Sequence, residues 1–220
     1  MISTIDIISL IVFFSCWFGY SILTSLKEKD SASLFSIMYK HRLKWMTEAL
    51  KREDKSVDVI TLGNLMKSVS FFASTSILII AGLIPLFGYG EKINNFAGKL
   101  PFVISSTSPM YEIKIILLIN IFIYAFFKYT WALRQYNYAS VLILASNKKQ
   151  SNNEELAIRN AQILANAAKH FSMGVRGYYL GIAVLSWFLN PYLFIAVSIL
   201  IMFVNYRREF LSKALDIIKL

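Results

Sequence analysis

Four stretches of the chain run almost free of polar residues: 5–26, 69–88, 113–133 and 177–205. Each approaches the roughly 20 residues that an α-helix needs to cross about 30 Å of hydrocarbon. Between them the pattern changes to a period near 3.6. In residues 33–53, Leu34, Phe35, Met38, Leu43, Trp45, Met46 and Leu50 share one half of a helical projection, while Lys40, Lys44, Glu48 and Lys51 fill the other. Residues 152–171 repeat this pattern. Ser151 or Asn152 is available as a cap, Glu154 and Glu155 stand in the first turn, and Leu156, Ile163, Leu164 and Phe171 form the apolar side. The pattern predicts an all-α fold, a single membrane domain over residues 1–220 with four apolar segments and two amphipathic helices.

Composition agrees with a membrane as solvent. Hydrophobic residues make up 56% of the chain and charged residues 16%, against about 25% charged in ordinary soluble domains. The formal net charge of +10 is gathered beside the apolar segments, a placement that orients helices and meets anionic headgroups rather than nucleic acid. Residues 27–67 carry Lys27, Lys29, Lys40, Arg42, Lys44, Lys51, Arg52, Lys55 and Lys67, and residues 134–176 carry Arg134, Lys148, Lys149, Arg159, Lys169 and Arg176. Both segments are therefore expected on the cytoplasmic side of an inner membrane. The loop 89–111, with Gly90, Gly98, Pro101 and Pro109, is expected outside. No Lys or Arg precedes the first apolar run, so that run reads as a retained anchor with an outward amino terminus, not a secretory signal.

The last apolar stretch raises a parity problem, since a single crossing would place Arg207, Arg208, Lys213 and Lys219 outside. Proline lacks an amide donor and disfavours a continuous helix, so Asn190-Pro191 marks a break. A re-entrant hairpin, with arms of only about 20 Å at 1.5 Å per residue, is favoured over one kinked crossing. The third segment instead runs from Ile113 through Tyr138 without a breaker, which predicts one long helix protruding from the membrane.

Candidate chemistry is sparse. Cys16 is the only cysteine, His41 and His170 are the only histidines, and no HExxH, GxSxG, P-loop or carboxylate cluster is present. No cofactor or metal is called for. Arg42 projects from the apolar half of its helix and needs a partner, for which Glu53, Asp54 and Asp58 are candidates. Arg134 and Asn137 are one turn apart, as are Asn166 and His170, and Arg176 opens the last apolar stretch. These seven residues, Arg42, Asp58, Arg134, Asn137, Asn166, His170 and Arg176, form the candidate binding cluster at the cytoplasmic face. In the second span Ser70, Ser74 and Ala81 line a stripe suited to close helix packing or, less readily, to a polar path.

Several stretches carry a resemblance. His41-Arg42, Trp45-Met46, Lys51-Arg52-Glu53, Asp58, Ser70-Phe71-Phe72-Ala73-Ser74-Thr75, Trp131 through Tyr138, Arg176-Gly177-Tyr178-Tyr179 and Tyr206-Arg207-Arg208-Glu209-Phe210 together resemble the bacterial and plant membrane proteins grouped as domain of unknown function 599. That resemblance covers nearly the whole chain and implies no mechanism. Three functional readings follow from the residues. The first is a non-enzymatic scaffold or accessory protein that binds a protein partner, another copy of itself or anionic lipid headgroups. The second is an oligomeric channel or carrier using Ser70, Ser74, Asn120, Arg134 and Asn137. The third is an enzyme acting on lipid phosphates, with Arg42, Arg134 and Arg176 as clamps and His170 as acid or base.

Overall fold

The structure, a computed structural model, describes residues 3–27, 33–90, 92, 103, 107–146 and 153–218. Among them the chain is helical throughout, with no strand: α1 (Thr4–Lys27), α2 (Leu34–Lys51), α3 (Ser56–Leu83), α4 (Ser108–Ala145), α5 (Asn153–Trp187), α6 (Pro191–Phe210) and α7 (Lys213–Ile218). Three helices are long and apolar enough to cross a membrane: Thr4–Leu26, Ser56–Leu86 and Ser108–Ala145. Most of the expected outward loop 89–111 and the expected caps Ser151 and Asn152 lie outside the described residues.

Local chemistry sets the helix ends. Ser33 Oγ accepts from the Ser36 amide at 3.2 Å and starts α2. The second apolar run ends in a 3₁₀ turn at Ile84–Leu86, followed by Gly88 at φ +81°. Lys55 donates to the carbonyls of Ile143 (2.8 Å) and Ser146, setting a cation on the carbonyl end of α4. Asn190 accepts from the Tyr192 amide at 2.8 Å and Pro191 occupies the first turn of α6.

The break expected at Asn190-Pro191 is therefore a helix boundary, but the segments around it differ from the expectation. Residues 152–171 and 177–187 are not separate elements. They form the single 35-residue α5, about 52 Å long at 1.5 Å per residue. The second arm is also longer than the expected length of about 20 Å, since α6 has 20 residues, about 30 Å at 1.5 Å per residue. What changes at 172–176 is the side-chain pattern, from amphipathic to largely apolar, and the backbone has no reason to stop there.

α4 and α5 form an antiparallel pair at the centre. A Cβ on Gly174 would lie 2.5 Å from the Tyr129 ring, one on Gly177 3.1 Å from Ala125, and one on Gly181 3.1 Å from Phe122. This glycine stripe lets the two helices approach closely. The stripe expected to do so, Ser70, Ser74 and Ala81, is exposed instead, because α3 packs through Leu62, Val69, Ala73 and Ser76.

The first turns of α1, α4 and α6 meet the last turn of α5 at one end, called distal here. There Phe13, Phe122, Trp187 and Phe194 form an aromatic core, with Trp187 and Phe194 stacked at 5.0 Å. The other, basal half joins α2 to the start of α3, the end of α4 and the start of α5. Its core is rich in alanine, including Ala49, Ala132, Ala139, Ala157 and Ala161, around Met46, Leu50 and Tyr136. α1, α4 and α6 thus run from distal to basal, and α3 and α5 run back.

Candidate functional site

The basal half holds the polar residues singled out by the sequence. Asp58, 1% exposed, accepts through Oδ1 from Trp45 Nε1 at 2.7 Å and Arg52 Nη1 at 2.6 Å. Trp45 and Arg52 are seven residues apart, two helical turns, so both reach the start of α3 from one side of α2. The carboxylate expected to serve Arg42 is thereby engaged by Arg52. Arg42 is half-buried against Tyr136, and burial lowers its pKa while the Tyr136 phenol opposes that shift. Its Nη1, Asp58 Oδ2, Gln135 Oε1 and both side-chain polar atoms of the fully buried Asn160 lack a hydrogen-bond partner among the described residues.

Arg134 and Asn137 are exposed on α4, away from the buried Ala132, Tyr136 and Ala139, and the Arg134 guanidinium lies 5.8 Å from the Trp131 ring centre. Asn166 is likewise exposed. His170 is half-buried, edge-on to Trp131, with Nδ1 buried and unpartnered. Burial first, then Lys128 and Lys169, lower its pKa, so the imidazole is neutral near pH 7. Asn120 points outward and donates to its own helix at the Ile116 carbonyl, 2.8 Å away. No group of three His, Cys, Asp or Glu side chains gathers among the described residues.

Arg176 belongs to a different feature. It stands where two cavities meet between α1, α5 and α6, sharing that position with Tyr20 and Asn205. Distal to it lies a narrow, mainly apolar chamber of about 40 Å³, lined by Phe13, Cys16, Trp17, Tyr124, Leu180 and Met202 among others. On the basal side lies a wider mouth of about 210 Å³, bordered by Leu34, Phe171, Tyr179, Arg208 and Glu209. The Arg176 guanidinium covers the Tyr20 ring at 4.9 Å, and its Nη2 is 3.8 Å from Glu209 Oε2. Arg208 Nη1 donates to the Tyr179 hydroxyl, with the guanidinium 5.8 Å from that ring centre. Two arginines and one glutamate thus border the mouth, a cationic balance suited to an anionic oxygen cluster.

Of the seven residues expected together, the structure brings Arg42 and Asp58 into the basal half, half-buries His170 beside Trp131, sets Arg176 in the cleft, and leaves Arg134, Asn137 and Asn166 exposed. Sequence reasoning missed Tyr20, Asn205, Arg208 and Glu209 as cleft residues. The available signal was the pair of charged-aromatic stretches Arg176-Gly177-Tyr178-Tyr179 and Tyr206-Arg207-Arg208-Glu209-Phe210. Only the α5–α6 reversal brings them together.

With this geometry in hand, comparison with known proteins gives one match: the family described as "Protein of unknown function, DUF599" matches residues 8–214. The chain belongs to that family. No curated protein and no solved structure matches it.

Proposed function

We propose that the protein is a non-catalytic accessory or scaffold protein of the inner membrane, which holds an anionic lipid headgroup at its cytoplasmic face. The observation that carries this reading is the cleft mouth, where Arg176 and Arg208 are held by tyrosine rings beside an apolar chamber. Arginine suits the role because its planar fork meets phosphate oxygens in pairs and sheds water more readily than lysine.

In this reading the basal half, with its basic segments, is cytoplasmic and the amino terminus is outside. The chain crosses five times, through α1, α3, α4, the distal part of α5 and α6. That count returns Arg207, Arg208 and Lys213 to the cytoplasmic side and resolves the parity problem without a shallow hairpin. Exposed Ile11, Phe18, Ile22, Phe71, Leu78, Leu200 and Phe203 supply the lipid-facing surface. Thiol labelling in intact cells tests the topology: Leu189→Cys is expected to react from outside and Ser212→Cys only after permeabilisation. Reaction of both from outside contradicts it.

Lipid retention tests the function. Purified in a mild neutral detergent, the protein is expected to carry an acidic phospholipid visible by native mass spectrometry, and Arg208→Gln is expected to release most of it. Retention of no lipid, or of a zwitterionic lipid equally well in the variant, overturns the reading.

A further inference from the structure

The chamber behind Arg176 narrows the choice of ligand. A headgroup bound only at the membrane surface would use the mouth and leave the chamber idle, yet the two cavities meet at the same guanidinium. A chemical group held there is polar at one end and apolar at the other. We infer that the ligand is a phosphate monoester of a single hydrocarbon chain, with the phosphate between Arg176 and Arg208 and the first carbons of the chain in the chamber between α1 and α6. This inference rests on the anionic-lipid reading above and specifies its ligand.

Three observations carry it. The chamber lining is mostly hydrocarbon and aromatic, with Phe13 and Trp17 from α1, Leu180 from α5 and Met202 from α6, so it rewards an alkyl group over water. Its volume of about 40 Å³ is room for about three water-sized groups at 10–15 Å³ each. A volume of that size suits a few methylenes better than the branched glycerol of a diacyl lipid. The hydroxyl of Ser198, one polar group of the wall, already donates to the Phe194 carbonyl at 2.6 Å and makes no demand on the chain. At the mouth, two guanidinium groups against Glu209 favour the dianionic end of a monoester over the single charge of a diester.

The experiment measures binding to the full-length protein in phosphatidylcholine nanodiscs, using dodecyl phosphate, diacyl phosphatidic acid, dodecanol and inorganic phosphate. Dodecyl phosphate is expected to bind at least tenfold more tightly than any of the other three. Filling the chamber with Cys16→Phe is expected to weaken it tenfold or more while the free protein still melts in a single cooperative transition, and Met202→Phe serves as a second filling variant. In the unaltered chain, a dodecyl phosphate carrying a diazirine near its headgroup is expected to label α1 around Cys16 and α6 around Met202. Dodecyl phosphate that binds without labelling those segments overturns the chamber assignment and leaves the anionic-lipid reading standing. Phosphatidic acid or inorganic phosphate binding as tightly as dodecyl phosphate does the same. Failure of every anionic amphiphile to bind removes both.

Discussion

The two halves of the molecule treat buried polarity in opposite ways. In the distal half, Asp6 accepts from Trp187 Nε1 at 2.8 Å, and Lys114, 1% exposed, donates to the Trp187 carbonyl at 2.9 Å. Ser9 and Ser198 bond backbone carbonyls three and four residues back. One tryptophan thereby ties α1, α4 and the α5–α6 turn together. In the basal half, Arg42, Asp58, Gln135, Asn160 and His170 each keep a buried atom without a partner among the described residues. A buried polar group left unpaired costs about 1–3 kcal/mol, so a fold tuned for stability alone would not concentrate such groups in one half. The distal half is organised as a lock and the basal half as an apolar core that keeps several buried polar atoms unpaired.

The largest effect is expected from breaking the lock. Trp187→Ala removes a fully buried ring, leaves Asp6 without its donor and is expected to cost about 3–5 kcal/mol. Trp187→Phe keeps the stack on Phe194 and is expected to cost about 1–3 kcal/mol for the lost hydrogen bond. Thermal midpoints in detergent separate the two, and a Trp187→Phe midpoint equal to that of the unaltered protein would remove Asp6 from the lock.

Next comes the seam that joins the halves. Gly174→Ala sets a Cβ against the fully buried Tyr129 ring and is expected to cost about 1–3 kcal/mol through overpacking. Gly63→Ala, with nothing within 4 Å of its Cβ, is expected to be neutral or to stabilise α3 by up to about 1 kcal/mol through helix propensity. A tolerated Gly174→Ala would mean that α4 and α5 are less tightly fitted than described.

The smallest effect belongs to His170. Because burial and two lysines hold its folded pKa below the usual 6.5, the folded chain binds fewer protons than the unfolded chain below that value. Its contribution to stability is therefore complete above pH 6.5 and lost as pH falls from there through the folded value. His170→Gln is expected to flatten that part of the stability–pH curve. An unchanged curve would locate the acid sensitivity elsewhere.

How much of this was legible in the sequence depends on distance along the chain. The Asn190-Pro191 boundary was visible because proline acts on its own turn, and the uninterrupted α4 was visible because nothing between Ile113 and Tyr138 can stop a helix. The unity of α5 was hidden, since its amphipathic and apolar halves present different patterns on one backbone. Gly177 and Gly181 have the spacing of a close helix contact, but nothing in the sequence sets Tyr129, Ala125 and Phe122 opposite the glycines at 174, 177 and 181. Arg52 took the place expected for Arg42 because the choice turned on which side of α2 faces α3. The cleft needed the α5–α6 reversal to set Arg176 beside Glu209.

The central claim is that the cleft, and not basic charge in general, binds the anion. Each charge-assisted contact is worth about 1.5–3 kcal/mol, so affinity for an acidic phospholipid, measured by native mass spectrometry titration, is expected to fall roughly a hundredfold or more in the double variant Arg176→Gln/Arg208→Gln. It is expected to stay within twofold of the unaltered protein in Lys67→Gln, which removes an exposed cation from α3. Equal losses in both variants, or none in the double variant, would contradict the account.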